Sequence, residues 1–216
     1  MSTTNYSTAD DAAGALAKFA AAQGITTSFG LAAHQLPLSV LANMLDGQAG
    51  GGVLAIGAAA GAIGTGGFAT SGITREGGII KTSILVDLTG LQSSATDLDI
   101  IGQGVSPAYI ARITAAQNGT IIGGTMECLE APVGGVTDID LYAATEGTGA
   151  FDTGIATLAE TAVVTSGAAW TLGRSLGTAS DGVAANAYLY LCAGATTAGT
   201  YTAGRILITL YGAPTA

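Results

Sequence analysis

The spacing of apolar residues divides the chain into a helical beginning and a β-rich remainder. From Ser7 to Gln23 apolar positions return every three or four residues, with Ser7 placed to cap and Gly24 just beyond the end, which predicts a short amphipathic helix. A second short helix is predicted from Pro37 to Asp46, where proline stands at the first helical position. Because helices of this length are unstable alone, we expect both to dock on the β domain or on another subunit.

A long uncharged segment follows these helices. Gly47 to Thr74 spans 28 residues, ten of them glycine. Its centre, Val53 to Ala69, is apolar and places Gly57 and Gly61 at the spacing of a membrane-helix dimer motif, which invites interpretation as a membrane span. Its 17 residues are at the short end for a spanning helix, and most are Gly or Ala. We therefore expect an extended arm that lies against a neighbouring protein in an assembly.

From Gly72 onward the apolar period changes to two, which indicates β-strands. Ile79 to Leu91 alternates apolar and polar positions, as expected of a strand with one buried and one partly wet face. Two strand-like runs flank Asn118-Gly119, the pair that best suits a type I′ turn, so a β-hairpin is predicted there. Further strands are predicted at Thr137–Ala143, Glu160–Thr165, Ala187–Ala193 and Gly204–Tyr211.

Seven or eight strands without helical crossovers predict a mainly β fold, an antiparallel β-sandwich or jelly roll. We expect two parts. Residues 1–71 form an N-terminal arm with two short helices and the Gly/Ala-rich segment, and residues 72–216 form the sandwich domain. A chain of 216 residues is long enough to bury a substantial core in that domain.

The charge of the chain narrows the classes of partner. A net charge of -9 and a pI near 4.1 oppose binding to phosphate backbones, so no nucleic acid is expected. The opening residues are polar and acidic and do not have the basic and apolar parts of a secretory signal, so export by that route is not indicated. Cys128 and Cys192 lie in strand-like runs without metal-binding spacing, which predicts buried free thiols.

Candidate chemistry is sparse. His34, the single histidine, has apolar and amide neighbours, which favours a packing role over catalysis. No serine stands in a GxSxG motif, and the glycine-rich pieces do not contain a Walker lysine. We therefore predict that the chain is not an enzyme and has no catalytic, cofactor-binding or metal-binding residues.

Three sets of residues are candidate exceptions to this prediction. The pairs Asp97/Asp99 and Asp138/Asp140 have a spacing that suits a hard cation, although carboxylates at strand starts are usually solvated. Glu127 and Glu130 are expected to face opposite ways if their strand is regular, which argues against a glycosidase pair. Tyr188 and Tyr190 share one strand face, as in a carbohydrate-binding row, but the simpler interpretation is that they cover a sheet face.

Three stretches of the chain resemble virion structural proteins of tailed bacteriophages, of the marine and cyanobacterial type. They are ITREGGIIKTSILVDLTGL, ITAAQNGTIIGGTMECLEAPVGGVTDIDLYAATEGTG and YTAGRILITLYG, and the resemblance extends from Ile73 to Gly212. It lies in strands and turns rather than in a catalytic motif, so it transfers no functional residue to this chain.

The resemblance implies a non-enzymatic virion protein, a capsid decoration or cement protein that binds and stabilises the phage head lattice. A tail- or fibre-associated module that binds host surfaces or glycans is the alternative, and a hydrolase on a β scaffold is a third hypothesis. The expected location is the phage head, assembled in the host cytoplasm. The expected partners are the major capsid protein and copies of the chain itself, as a homotrimer, without membrane attachment. The expected partner contacts are Leu16, Phe19, Leu38, Leu41 and Phe68.

Overall fold

The computed structural model describes Leu54, residues 69–179 and residues 182–214, all of which belong to the unit from Gly50 to Ala216. These residues form a mainly β fold of antiparallel sheets, which confirms the predicted fold class. Within them, no helix has the length and apolar character needed to cross a membrane. The two predicted helices, most of the Gly/Ala-rich segment, His34 and the expected contacts Leu16, Phe19, Leu38, Leu41 and Phe68 lie outside the described residues.

Two sheets make up the sandwich. The strands of sheet 1 are β1 (Ala69–Glu76), β2 (Ile79–Asp87), β5 (Thr120–Val133), β8 (Ser175–Gly177) and β11 (Ala203–Ala213). Their order across the sheet is β1-β2-β11-β5-β8. The strands of sheet 2 are β4 (Ala111–Arg112), β6 (Ile139–Ala144), β7 (Glu160–Val164) and β9 (Tyr188–Ala193), in the order β4-β9-β6-β7. The short strands β3 (Gln92–Ser93) and β10 (Gly199–Thr200) pair with each other.

The alternation of side chains along each strand builds the core. In β2, Ile80, Thr82, Ile84 and Val86 are buried while Lys81, Ser83 and Leu85 stay half-buried, as the sequence predicts. The four strands predicted between Thr137 and Tyr211 appear as β6, β7, β9 and β11 with ends shifted by a residue or two. Both sheets contribute apolar side chains to one continuous core, among them Ile84, Val86, Met126, Leu141, Leu189, Leu191, Ile206 and Ile208.

The central strand β11 joins the two halves of sheet 1. It pairs with β2 along one side and with β5 along the other, both antiparallel. Its inward residues Ile206, Ile208 and Leu210 are fully buried. Burying a side chain of this size stabilises the fold by about 1.5–3 kcal/mol, so each of the three contributes to the hydrophobic stabilisation at about that size.

The predicted hairpin at Asn118-Gly119 is wrong. Residues Ala115–Asn118 form a short helix, α1, capped by Thr114, and the flanking strands β4 and β5 belong to different sheets. The segment carries the chain from sheet 2 to sheet 1. Gly119 has φ 69°, which favours glycine. β11 also packs closely against it, since a β-carbon at this position would clash with the Ala213 carbonyl oxygen. The same Asn-Gly pair that suits a hairpin therefore ends a helix here.

A buried polar contact fixes this crossover. The Asn118 side-chain amide donates to Thr82 Oγ1 at 2.8 Å, and Asn118 Oδ1 accepts from the Thr114 N–H at 2.8 Å. Both Thr82 and Asn118 are fully buried. Thr82 occupies an inward position of β2 among aliphatic neighbours, so it requires a partner, and Asn118 supplies it.

Replacing Asn118 with Ala is expected to destabilise the fold by about 1–3 kcal/mol, because the Thr82 hydroxyl and the Thr114 N–H then lose their buried partner. Urea unfolding followed by circular dichroism measures the change. Thr120→Ala, at an exposed position two residues away, is the matched control and should change stability by less than about 0.5 kcal/mol. Equal stability of the Asn118→Ala variant and the parent would contradict the assigned role.

Candidate functional site

The tyrosines of β9 lie beneath loops on the outer face of sheet 2. Tyr188 and Tyr190 share that face, and Leu189 and Leu191 face the core, as predicted. Tyr190 is 0% exposed, and its ring lies 6.3 Å, centroid to centroid, from that of Tyr109. The tyrosines therefore cover a sheet face, which is the simpler of the two interpretations.

The Tyr190 hydroxyl is bound within the protein. It donates to the Glu146 carbonyl oxygen at 2.9 Å and accepts from the Gly149 N–H at 3.3 Å. Burial raises the pKa of Tyr190 to about 12. A hydroxyl with both roles filled is not free for a sugar, so Tyr190 does not form part of an open glycan platform.

The candidate cation ligands are divided between surface and interior. Asp97 is exposed, but Asp99 is buried and accepts from the Ser94 hydroxyl at 2.6 Å. Asp140 is 3% exposed and accepts from the Ser166 N–H at 2.7 Å, while Asp138 is half-buried. The expectation that these carboxylates are solvated is wrong for Asp99 and Asp140. Among the described residues, no group of three or more His, Cys, Asp or Glu side chains is placed to hold a metal ion.

The side chain of Asp140 lies in an environment that disfavours a negative charge. Its burial raises its pKa, the Ser166 N–H acts to lower it, and the nearby charges of Asp138 and Asp97 raise it further. Its position on β6, opposite Cys192 on β9, explains the burial. The Asp140 carboxyl group serves the fold as the hydrogen-bond acceptor of the Ser166 N–H.

Because the pKa of Asp140 is higher in the folded chain than its ordinary 3.8, its contribution to stability is complete below that pH and declines as the pH rises through the folded pKa. Asp140→Asn keeps the acceptor for Ser166 and removes the charge. We expect the stability of this variant relative to the parent to be higher at pH 7 than at pH 3.5. Urea unfolding at both pH values measures the difference. Asp152→Asn, which removes one negative charge at an exposed position, is the matched control. A pH-independent difference for Asp140→Asn would contradict the assignment.

Both cysteines are free and buried, which confirms the prediction. Cys128 faces the main core and Cys192 the smaller cluster on the outer side of sheet 2. Burial raises the pKa of both thiols, that of Cys192 well above its ordinary value, with nearby carboxylates adding to the effect. Neither thiol is therefore an available nucleophile.

The folded protein is expected to leave both thiols unreacted with a disulfide reagent such as DTNB over minutes, and to expose two reactive thiols in denaturant. Val105→Cys is the control, because Val105 is 97% exposed and a thiol there should react at once. Rapid reaction of the folded parent would show that Cys128 or Cys192 is accessible.

The outer face of sheet 1 differs from the regular pattern at a β-bulge. β5 shifts register against β11 so that Glu127 lies opposite Leu207 and Glu130 opposite Arg205, with Leu129 as the extra residue. The expectation that Glu127 and Glu130 face opposite ways is therefore wrong. Glu130 and Asp87 both pair with Arg205 at 3.5 Å, which makes this end of the face charged.

The other end of the same face carries an apolar depression of about 510 Å³, the sheet 1 depression, lined by Ile79, Lys81, Ile122, Gly123 and Tyr211. Ile79, Ile122 and Tyr211 are 37%, 50% and 38% exposed. Lys81 and Gly123 lie on either side of Tyr211 in the sheet. A β-carbon at Gly123 would contact nothing within 4 Å, so the missing side chain leaves the space open.

A second exposed apolar feature is the loop between β7 and β8. Leu172, at its tip, is 75% exposed. The Arg174 N–H donates to the Thr171 carbonyl oxygen at 2.9 Å across Leu172 and Gly173, and Gly173 has φ 84°, which fits a type II turn. Gly173 and Arg174 are also tied to Cys128 of β5 by two backbone hydrogen bonds of 2.9 Å.

Arg174 and Trp170 hold this loop from within. The Arg174 guanidinium donates to the Ser166 hydroxyl and carbonyl oxygens, both at 2.8 Å, and to the carbonyl oxygens of Ala168 and Ala169. It also lies 5.0 Å from the ring centroid of Trp170, whose indole N–H donates to the Ile139 carbonyl oxygen at 2.7 Å. The loop is thus fixed to both sheets.

Sequence reasoning missed Ile79, Ile122, Tyr211 and Leu172 as surface features. Leu172 carries a usable signal, since Gly173 directly follows it and glycine marks turns, which lie at the protein surface. For Ile79, Ile122 and Tyr211 no comparable signal exists, because they come from three strands that only the fold brings together.

Comparison of the chain with protein-family models, with curated proteins and with solved structures found no match. The fold and the surface are those of an antiparallel β-sandwich protein with exposed apolar features on the outer face of one sheet and in one fixed loop.

Proposed function

We propose that the chain is a non-enzymatic structural protein of a tailed-phage particle, a capsid decoration or cement protein that binds and stabilises the head lattice. The observation that carries this proposal is the exposed apolar depression at one end of sheet 1, formed by Ile79, Ile122 and Tyr211. A contiguous exposed apolar patch on a protein that is otherwise strongly charged is typical of a surface that binds another protein. The class of particle in this proposal comes from the resemblance of residues 73–212 to virion structural proteins of tailed bacteriophages.

Attachment to a symmetric lattice explains how so small an apolar surface can hold the chain on the particle. Each depression offers a limited apolar contact, but many copies attached to a symmetric shell bind jointly, so the apparent affinity exceeds that of one contact. The net charge of -9 keeps unassembled copies soluble. The partners in this proposal are the major capsid protein and other copies of the chain, in a homotrimer.

The glycan-binding alternative has less support. It relied on Tyr188 and Tyr190 as an open aromatic row, and Tyr190 is buried with its hydroxyl bonded to Glu146 and Gly149. Tyr188 retains partial exposure, with the Arg112 guanidinium carbon 5.4 Å from its ring centroid. One half-buried tyrosine is a weak basis for binding sugars.

The test is the copy number of the chain in purified particles of the phage that encodes it, measured by quantitative mass spectrometry against the major capsid protein. A simple fixed ratio to the capsid protein is expected. A few copies per particle would favour the tail or fibre alternative, and absence from the particles would overturn the proposal.

The stabilising role has its own readout. Particles assembled without the chain are expected to release their genome at a lower temperature than complete particles, and added purified chain should restore the higher temperature. Ile122→Asp, within the depression, should restore it poorly because it places a charge in the apolar contact. Val105→Asp, at a 97% exposed position on another loop, is the matched control and should act like the parent.

A further inference from the structure

We infer that the Asn118-Gly119 pair is a latent deamidation site, which the fold keeps closed and which makes unfolding irreversible once it has reacted. This is the single Asn-Gly pair of the chain. Asparagine is a thermolabile residue, and it reacts most readily before glycine, which has no side chain to hinder the attack of its own backbone nitrogen. The site is a property of the fold alone and does not depend on the proposed function.

The reaction needs only the two residues and water. The Gly119 backbone nitrogen attacks the side-chain carbon Cγ of Asn118, and the new N–Cγ bond closes a succinimide ring. The bond from Cγ to Nδ2 breaks, and Nδ2 leaves as ammonia, with the proton that the Gly119 nitrogen gives up. Water then opens the ring at either carbonyl carbon. The products are aspartate and isoaspartate, and in isoaspartate the main chain runs through Cγ.

The folded chain holds every group of this reaction in another contact. The Gly119 N–H donates to the Ala115 carbonyl oxygen at 3.0 Å, which retains the proton that must leave before the nitrogen attacks. The Asn118 amide donates to Thr82 Oγ1, and its Oδ1 accepts from the Thr114 N–H, both at 2.8 Å. Because Asn118 is 0% exposed, the water that the reaction consumes does not reach it. The pair is therefore closed to deamidation while the chain is folded.

Either product fits poorly at this place in the fold. Aspartate puts a carboxylate at a fully buried position, which disfavours a charge. Isoaspartate lengthens the main chain where β11 packs tightly, since a β-carbon at Gly119 would clash with the Ala213 carbonyl oxygen and one at Gly212 with the Asn118 carbonyl oxygen. A chain that reacts while it is unfolded is therefore expected not to regain its fold, which is irreversible unfolding through chemical change.

The first test compares deamidation of the purified full-length chain in native buffer and in concentrated urea, at the same mildly alkaline pH. Mass spectrometry of the peptide that contains residue 118 detects the exchange of an amide for a carboxyl group. We expect the reaction to be at least about 100-fold slower in native buffer, because the unfolded fraction of a folded protein is about 10⁻³ or less. Below the unfolding midpoint, the rate should rise with urea in parallel with the unfolded fraction.

Asn186 is the internal control in the same samples. It is exposed in the folded chain and is followed by alanine, whose methyl group hinders the attack. In urea it should react more slowly than Asn118. Since the fold does not bury Asn186, its rate should differ between the two buffers less than the rate of Asn118 does.

The second test follows refolding after the urea is diluted. Chains incubated briefly should recover the circular dichroism of the parent, and the loss of recovery after long incubation should match the fraction that has reacted at residue 118. Asn118→Asp reproduces one product without incubation and should unfold at a lower urea concentration than the parent. Asn186→Asp adds the same charge at an exposed position and should unfold like the parent.

Three results would contradict a latent site of this kind. They are equal rates at Asn118 in native buffer and in urea, no reaction at Asn118 in urea, and reacted chains that refold as fully as unreacted ones. Because these experiments contain no phage particle, their outcome is separate from the test of the proposed function.

Discussion

The fold depends on the register of β11 between β2 and β5. Side chains in a strand alternate between faces, so a shift of one residue would turn Ile206, Ile208 and Leu210 out of the core and bring Thr209 in. With this register, the charged Arg205 and the aromatic Tyr211 both fall on the outer face, at opposite ends of β11. The same pairing that buries the core therefore places the charged and the apolar ends of the outer surface.

A few buried polar groups fix the segments that connect the strands, which the hydrophobic core by itself does not fix. Asn118 anchors the crossover between the sheets through Thr82, and Asp140 anchors the β7–β8 loop through Ser166. Arg174 donates hydrogen bonds to carbonyl groups of that loop, including that of Ser166. Each of these groups is hydrogen-bonded, and each connection is therefore fixed in one arrangement rather than several.

The two outer faces of the sandwich differ in how far other residues of the chain cover them. On sheet 2, residues such as Ile100, Ile155 and Leu158 from the chain's own loops cover the tyrosines of β9 and make a second small core. On sheet 1, the described residues leave the end near Tyr211 open and apolar. This difference is the reason why the proposed contact with a protein partner is placed on sheet 1.

The sequence by itself determined the fold class, the inward face of β2 and the burial of Cys128 and Cys192, because strand periodicity and side-chain hydrophobicity act locally. Only the tertiary structure decided that Asn118-Gly119 ends a helix. The hairpin preference of that pair is a local property, and the buried hydroxyl of Thr82 on a distant strand outweighs it. The sheet 1 depression was out of reach of the sequence, because residues from separate strands share a surface only after the sheet has formed.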